Sequence, residues 1–196
     1  MSSVHPIEVE SYRIMESRVD LTGWPPGARD VVARMIHATA DESFATSARV
    51  GAEAVDASIV ALRAGAVVVC DARMVVAGIT GGVDARCLLD EVPVAPEGST
   101  RSAAAIESAA KRWPTGALWV IGNAPTALAS LVRLAESGDV VPAAVIGVPV
   151  GYVGAAEAKA SLWDSELQQI SITVLGRRGG SPVAVAAVNA LVRLAR

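Results

Sequence analysis

Arg34, His37 and Asp41 bring a cation, an imidazole and a carboxylate together at spacings of three and four. That repeat aligns side chains along one row of a helix. His37 is one of two histidines in 196 residues. Imidazole is the side chain that titrates nearest neutral pH, so in this setting it suits handing a proton to a substrate and taking it back. The same row also reads as a surface histidine beside an incidental helical ion pair. His5, close to the N-terminus, suggests no chemistry.

The element that must carry this row is a helix over Ala28 to Thr39, with Val31, Met35 and Ala38 forming its apolar stripe. The turn Thr22-Gly23-Trp24-Pro25-Pro26-Gly27 precedes it, and Pro26 or Gly27 can open the helix. An earlier helix is predicted from Ile7 to Ser17, with Tyr12, Met15 and Val19 on one face. A third is predicted from Ser47 to Ala64, stopped by Gly65.

From Ala66 onward, short apolar runs alternate with helical patterns. The predicted strands are Ala66–Cys70, Arg86–Leu89, Ala117–Ile121, Ala143–Gly147 and Ile170–Leu175. The predicted helices are Thr100–Trp113, Pro125–Ser137, Ala155–Gln168 and Pro182–Ala195. Strands apolar on both faces and separated by helices predict a doubly wound α/β fold. The expected architecture is a mostly parallel, five-stranded sheet of flavodoxin type behind a helical N-terminal segment. Residues 1–196 read as one domain.

In such a sheet, ligands bind beyond the carboxyl ends of the strands. Three glycine-rich loops fall there: Gly122-Asn123-Ala124-Pro125-Thr126, Gly147-Val148-Pro149-Val150-Gly151-Tyr152-Val153-Gly154 and Gly176-Arg177-Arg178-Gly179-Gly180-Ser181. Each runs into a predicted helix, whose free N–H groups and positive dipole end suit carboxylates or phosphates. Arg177 and Arg178 read either as ligand contacts or as solvated charges. Thr100-Arg101 opens another helix, and an arginine in a first turn opposes the dipole unless an anion is near. Asp71, at a strand end, reads either as a turn cap or as a catalytic carboxylate. No loop has the Walker A ending, and the first strand leads into Asp71-Ala72-Arg73 rather than a glycine triplet, which disfavours a nucleotide site.

Composition narrows the classes further. A net charge of -3 argues against general nucleic-acid binding. No apolar run reaches membrane-spanning length, and no export signal is legible before Pro6, so a cytoplasmic protein is expected. Cys70 and Cys87 fall in predicted buried strands and read as inert thiols; no metal-ligand spacing is present. Apolar residues make up 52% of the chain, which suggests that some apolar surface is covered by a partner.

Several strings together resemble the precorrin-8X methylmutase family over nearly the whole chain. They are Ile7-Glu8 with Ser11-Tyr12 (Phe is usual at the latter), Arg34-Met35-Ile36-His37, and Cys70-Asp71-Ala72-Arg73-Met74-Val75 with Gly78-Ile79. Thr100-Arg101-Ser102-Ala103, Gly122-Asn123-Ala124-Pro125-Thr126-Ala127-Leu128, Pro149 to Glu157 and Gly176 to Ser181 follow in the family's order. Two departures stand out: Ala158 where the family has serine before Lys159, and a compact segment from Gly78 to Pro96. The resemblance implies an isomerase that moves a methyl group from C-11 to C-12 of precorrin-8X, giving hydrogenobyrinate. It implies His37 as proton donor and acceptor, with Ser11, Arg34, Thr100 and Arg101 as substrate contacts. Helix starts at Asn123, Gly151 and Gly179, with Arg177 and Arg178, would receive ring carboxylates. It further implies no methyl donor, metal or redox cofactor, and a homodimer with its site near the subunit boundary. Cobalt-precorrin-8 as substrate, and a corrinoid-binding protein without catalysis, are the alternatives.

Overall fold

The computed structural model describes residues 5–196. Helices α1 (Pro6–Glu16) and α2 (Pro26–Thr39) come first. Each begins with proline in its first turn, where a missing N–H leaves no bond unmade and the fixed φ already suits a helix. Val31, Val32, Met35 and Ile36 of α2 are fully or almost fully buried. At Ala40 the backbone turns left-handed, φ 53°, and ends the helix.

The helix predicted over Ser47 to Ala64 is instead three elements. A single turn, α3 (Phe44–Ser47), leads into strand β1 (Ala48–Val50), and α4 starts afresh at Ala54–Arg63. Gly51 makes the break. Its N–H donates to the Ser171 carbonyl at 2.8 Å, and its Cα lies so close to the carbonyls of Gln168 and Gln169 that a Cβ would collide with them.

The remaining strands are β2 (Val68–Cys70), β3 (Ala85–Arg86), β4 (Leu118–Ile121), β5 (Ala144–Gly147) and β6 (Ser171–Val174). The helices among them are α5 (Arg73–Gly78), α6 (Arg101–Arg112), α7 (Pro125–Glu136), α8 (Ala155–Asp164) and α9 (Ser181–Leu194). Short 3-10 turns cover Leu89–Glu91 and Glu166–Ile170, so the second predicted strand and the helix predicted to Gln168 are both shorter than their patterns suggested. Cys87 therefore lies just past β3 and is only half-buried, whereas Cys70 is buried. Burial pushes both thiols up, away from the reactive thiolate form.

Among the described residues the sheet has six strands rather than five, in the order β1-β6-β5-β4-β2-β3. All pairs are parallel except β1–β6. Without β1, the parallel strands taken in chain order have the flavodoxin arrangement, with the topological switch between β2 and β4. Alternate residues feed two cores. Leu118 and Val120 of β4 face the layer holding α2 and α9, while Trp119 and Ile121 face the layer of α6, α7 and α8. No helix among the described residues is long and apolar enough to cross a membrane.

Candidate active site

α1 lies across α2 and completes the environment of His37. Ser11 Oγ is 3.1 Å from His37 Nδ1, and the Tyr12 ring stacks on the imidazole with centroids 4.6 Å apart and planes 2° from parallel. These contacts fix the ring's position and occupy Nδ1. Nε2 has no partner among the described residues, so it is the nitrogen left for a substrate.

The ion pairing differs from the predicted row. Because α2 ends at Ala40, Asp41 leaves the helix and accepts from Arg178 Nη1 at 2.6 Å and from the Ser43 N–H at 3.0 Å. The carboxylate that serves the histidine cluster is Glu8, one turn before Ser11 and Tyr12. Arg34 Nη1 meets Glu8 Oε1 at 3.1 Å and approaches the Tyr12 hydroxyl at 3.5 Å; Arg193 of α9 reaches Glu8 at 3.7 Å. Burial holds the His37 imidazole below its ordinary value of 6.5, the Arg34 and Arg193 cations act in the same direction, and Glu8 opposes them. Tyr12, Arg34, Arg193, Asp30, Ala33, Ala190 and Leu194 line a cavity of about 210 Å³ beside this cluster.

A second group lies at the carboxyl edge of the sheet. Asp71, 1% exposed, accepts from the N–H groups of Gly122, Asn123 and Ala124 at 2.9, 2.8 and 2.6 Å. Burial pushes its carboxyl up while the three donors pull against that. Asp71 is therefore the clasp of the loop before α7, and the backbone donors around Asn123 point to this carboxylate; the Asn123 side chain is exposed. Thr100 caps α6 through the Ala103 N–H and shares a 2.7 Å hydrogen bond with Thr126, tying two helix starts together. In place of an anion, Arg101 meets neutral backbone carbonyls, donating to Val92 at 2.6 Å and Leu89 at 2.9 Å.

The loops before α8 and α9 are joined by the Gly151 N–H on the Arg177 carbonyl, 3.2 Å, and by the Arg177 guanidinium, 5.9 Å from the centroid of the Tyr152 ring. Neither helix has a side-chain cap. Gly27 lies beside Leu194, and Asp41 reaches Arg178, so α2 runs antiparallel to α9 and its C-terminal end approaches the sheet's carboxyl edge. Arg178 thereby links the arginine loop to the helix of His37. Thr100 and Arg101 belong to the opposite helical layer, which the structure does not bring into contact with His37. Glu8, Tyr12 and Arg193 were missed as site residues. Glu8, Ser11 and Tyr12 share a helical face at spacings of three and four, a signal that was legible; Arg193, more than 150 positions from His37, gave none.

A flavodoxin-order α/β sheet with a cationic loop at its carboxyl edge, and a histidine oriented by Ser11 and Tyr12 on a helix of one face, has the organisation of a ligand-binding α/β enzyme. The family described as precorrin-8X methylmutase matches residues 6–194. The chain is 40% identical to a precorrin-8X methylmutase of Pseudomonas aeruginosa over 191 residues, covering 93% of this chain and 91% of that protein. It is 39% identical over 181 residues to a cobalt-precorrin-8 methylmutase of Methanothermobacter thermautotrophicus, covering 90% and 85%. A crystal structure of precorrin-8x methyl mutase from Thermus thermophilus superposes with a TM-score of 0.85 at 39% identity, over 96% of this chain and 95% of that one. The chain belongs to the precorrin-8X methylmutase family, isomerases of cobalamin biosynthesis.

Proposed function

We propose that this protein moves the C-11 methyl group of precorrin-8X to C-12, giving hydrogenobyrinate, with His37 as general acid and base. The observation that carries the proposal is the fixed imidazole, held at Nδ1 by Ser11 and on its face by Tyr12. The C-11–methyl bond breaks as the C-12–methyl bond forms, and the methyl never leaves the macrocycle. No methyl donor, metal or redox partner enters that balance. His37 Nε2 takes a proton from the macrocycle and gives one back, so that the rearranged ring leaves at its own protonation level. Because its pKa is depressed, His37 meets the ring mostly as the neutral base near pH 7.

Ring carboxylates would lie along the sheet's carboxyl edge, at Thr100, the exposed Asn123 side chain, Gly151, Arg177 and Arg178. Arg34 and Arg101 reach substrate only by exchanging their present partners, Glu8 and the Leu89 and Val92 carbonyls. The protein would work as one domain in the cytoplasm, as a homodimer, without nucleic acid. Cobalt-precorrin-8 is the second reading, favoured by the nearly equal identity to relatives named for either substrate.

Incubation of purified protein with precorrin-8X, followed by visible spectroscopy, tests the reading. A hydrogenobyrinate spectrum supports it, and a stable precorrin-8X spectrum with bound ligand makes the protein a binder. The cobalt-containing substrate run in parallel separates the two routes by relative rate.

A further inference from the structure

Lys159 of α8 has 0% exposure, yet no carboxylate partners its amine. Burial alone brings that amine down to about 8, and its one hydrogen bond goes to the backbone carbonyl of Arg178. Burying a cation without a counter-charge disfavours the fold. A methionine of similar length would fill the same space at no such cost. The amine therefore serves something other than packing.

Its acceptor shows what that is. Arg178 lies in the loop Gly176–Gly180, whose other fastenings are the Gly180 N–H on the Val148 carbonyl at 2.8 Å and the Arg177 carbonyl under the Gly151 N–H at 3.2 Å. Gly179 packs against the Val148 carbonyl too closely to admit a Cβ. Lys159 holds the loop from the protein interior, and the Arg178 guanidinium extends outward to Asp41 and Ser43. One residue thus ties the buried amine to the turn that follows the His37 helix.

We propose that Lys159 is a positioning residue: its buried amine, fastened to the Arg178 carbonyl, sets the loop Gly176–Gly180 and its two arginines in the pose that receives a ligand carboxylate. This rests on the substrate reading above, and it concerns a group that touches no substrate itself.

Lys159→Met tests it through three readouts: melting temperature, amide exchange at Gly180, and titration with hydrogenobyrinate. The expected result is a melting temperature equal to or above that of the unaltered protein, faster Gly180 exchange, and affinity weaker by about tenfold, the loss of one charge-assisted contact. A variant that fails to fold or melts lower overturns the proposal, because the amine is then structural. Unchanged exchange or unchanged affinity overturns it too. If the unaltered protein binds no hydrogenobyrinate, the substrate reading fails and Lys159's role towards that ligand fails with it. Gly180 exchange in the variant then still reports separately whether Lys159 holds the loop.

Discussion

With Nδ1 engaged by Ser11 at 3.1 Å and one face covered by Tyr12, His37 keeps Nε2 as the ring nitrogen without a partner among the described residues. A positioned general acid contributes about 10²–10⁴-fold in rate, roughly 3–5 kcal/mol of barrier. His37→Ala should lose turnover by that order and keep most of its affinity for product, because the arginine loop is untouched. Wild-type turnover in a folded His37→Ala protein would end the assignment. The local charges also set a sign for the pH profile. His37 is depressed, so the limb belonging to its titration should have its midpoint below 6.5. Glu8 is the group that favours the imidazolium, so Glu8→Gln should move the midpoint lower still. A midpoint moving upward, in kcat against pH or in imidazole NMR titration, would show that Glu8 acts otherwise. By contrast, the Arg178–Asp41 pair has an arginine 63% exposed, and such pairs are worth only about 0–1 kcal/mol. Its part is to aim Arg178 rather than to hold the fold.

At the scale of elements, β1 shows how a single glycine overrides a pattern. Ala48 to Val50 pairs antiparallel with β6, in the register Ala48 with Val174 and Val50 with Ile172. That edge closes only because the Gln168 and Gln169 carbonyls approach Gly51 where a side chain would stand. These neighbours are backbone and cannot rotate away. Gly51→Ala should therefore destabilise by about 3 kcal/mol, at the upper end for overpacking, and denaturant unfolding would measure it. A variant as stable as the parent would mean that β1 detaches without cost.

For the whole molecule, the prediction is a dimer. Ile7, Val9 and Ile14 of α1 are 74, 57 and 47% exposed, and Pro6, Ile7, Glu10, Ser11 and Ile14 line a shallow groove on that helix. Ser11 is also the partner of His37, so a second chain seated there would close over the histidine. Light scattering should give twice the 20.0 kDa chain mass, and Ile14→Asp should lower it. An active species at the single-chain mass would refute the dimer.

The alternating apolar runs from Ala66 onward determined the parallel sheet, because a strand buried on both faces needs an unbroken run of apolar residues. Spacing likewise put His37 on a helix with Arg34, and the motif strings identified the family. Three things waited for the tertiary structure. Asp41 left the predicted row because one left-handed residue, Ala40, ends α2, and a spacing rule assumes that the helix goes on. Asp71 became a loop clasp because its three donors lie more than fifty positions away. Lys159 was buried because the loop from β6 covers it, a contact between distant segments. Local periodicity records which face a residue takes on its own element. Which distant group meets it there depends on how the elements pack, and only the folded chain decides that.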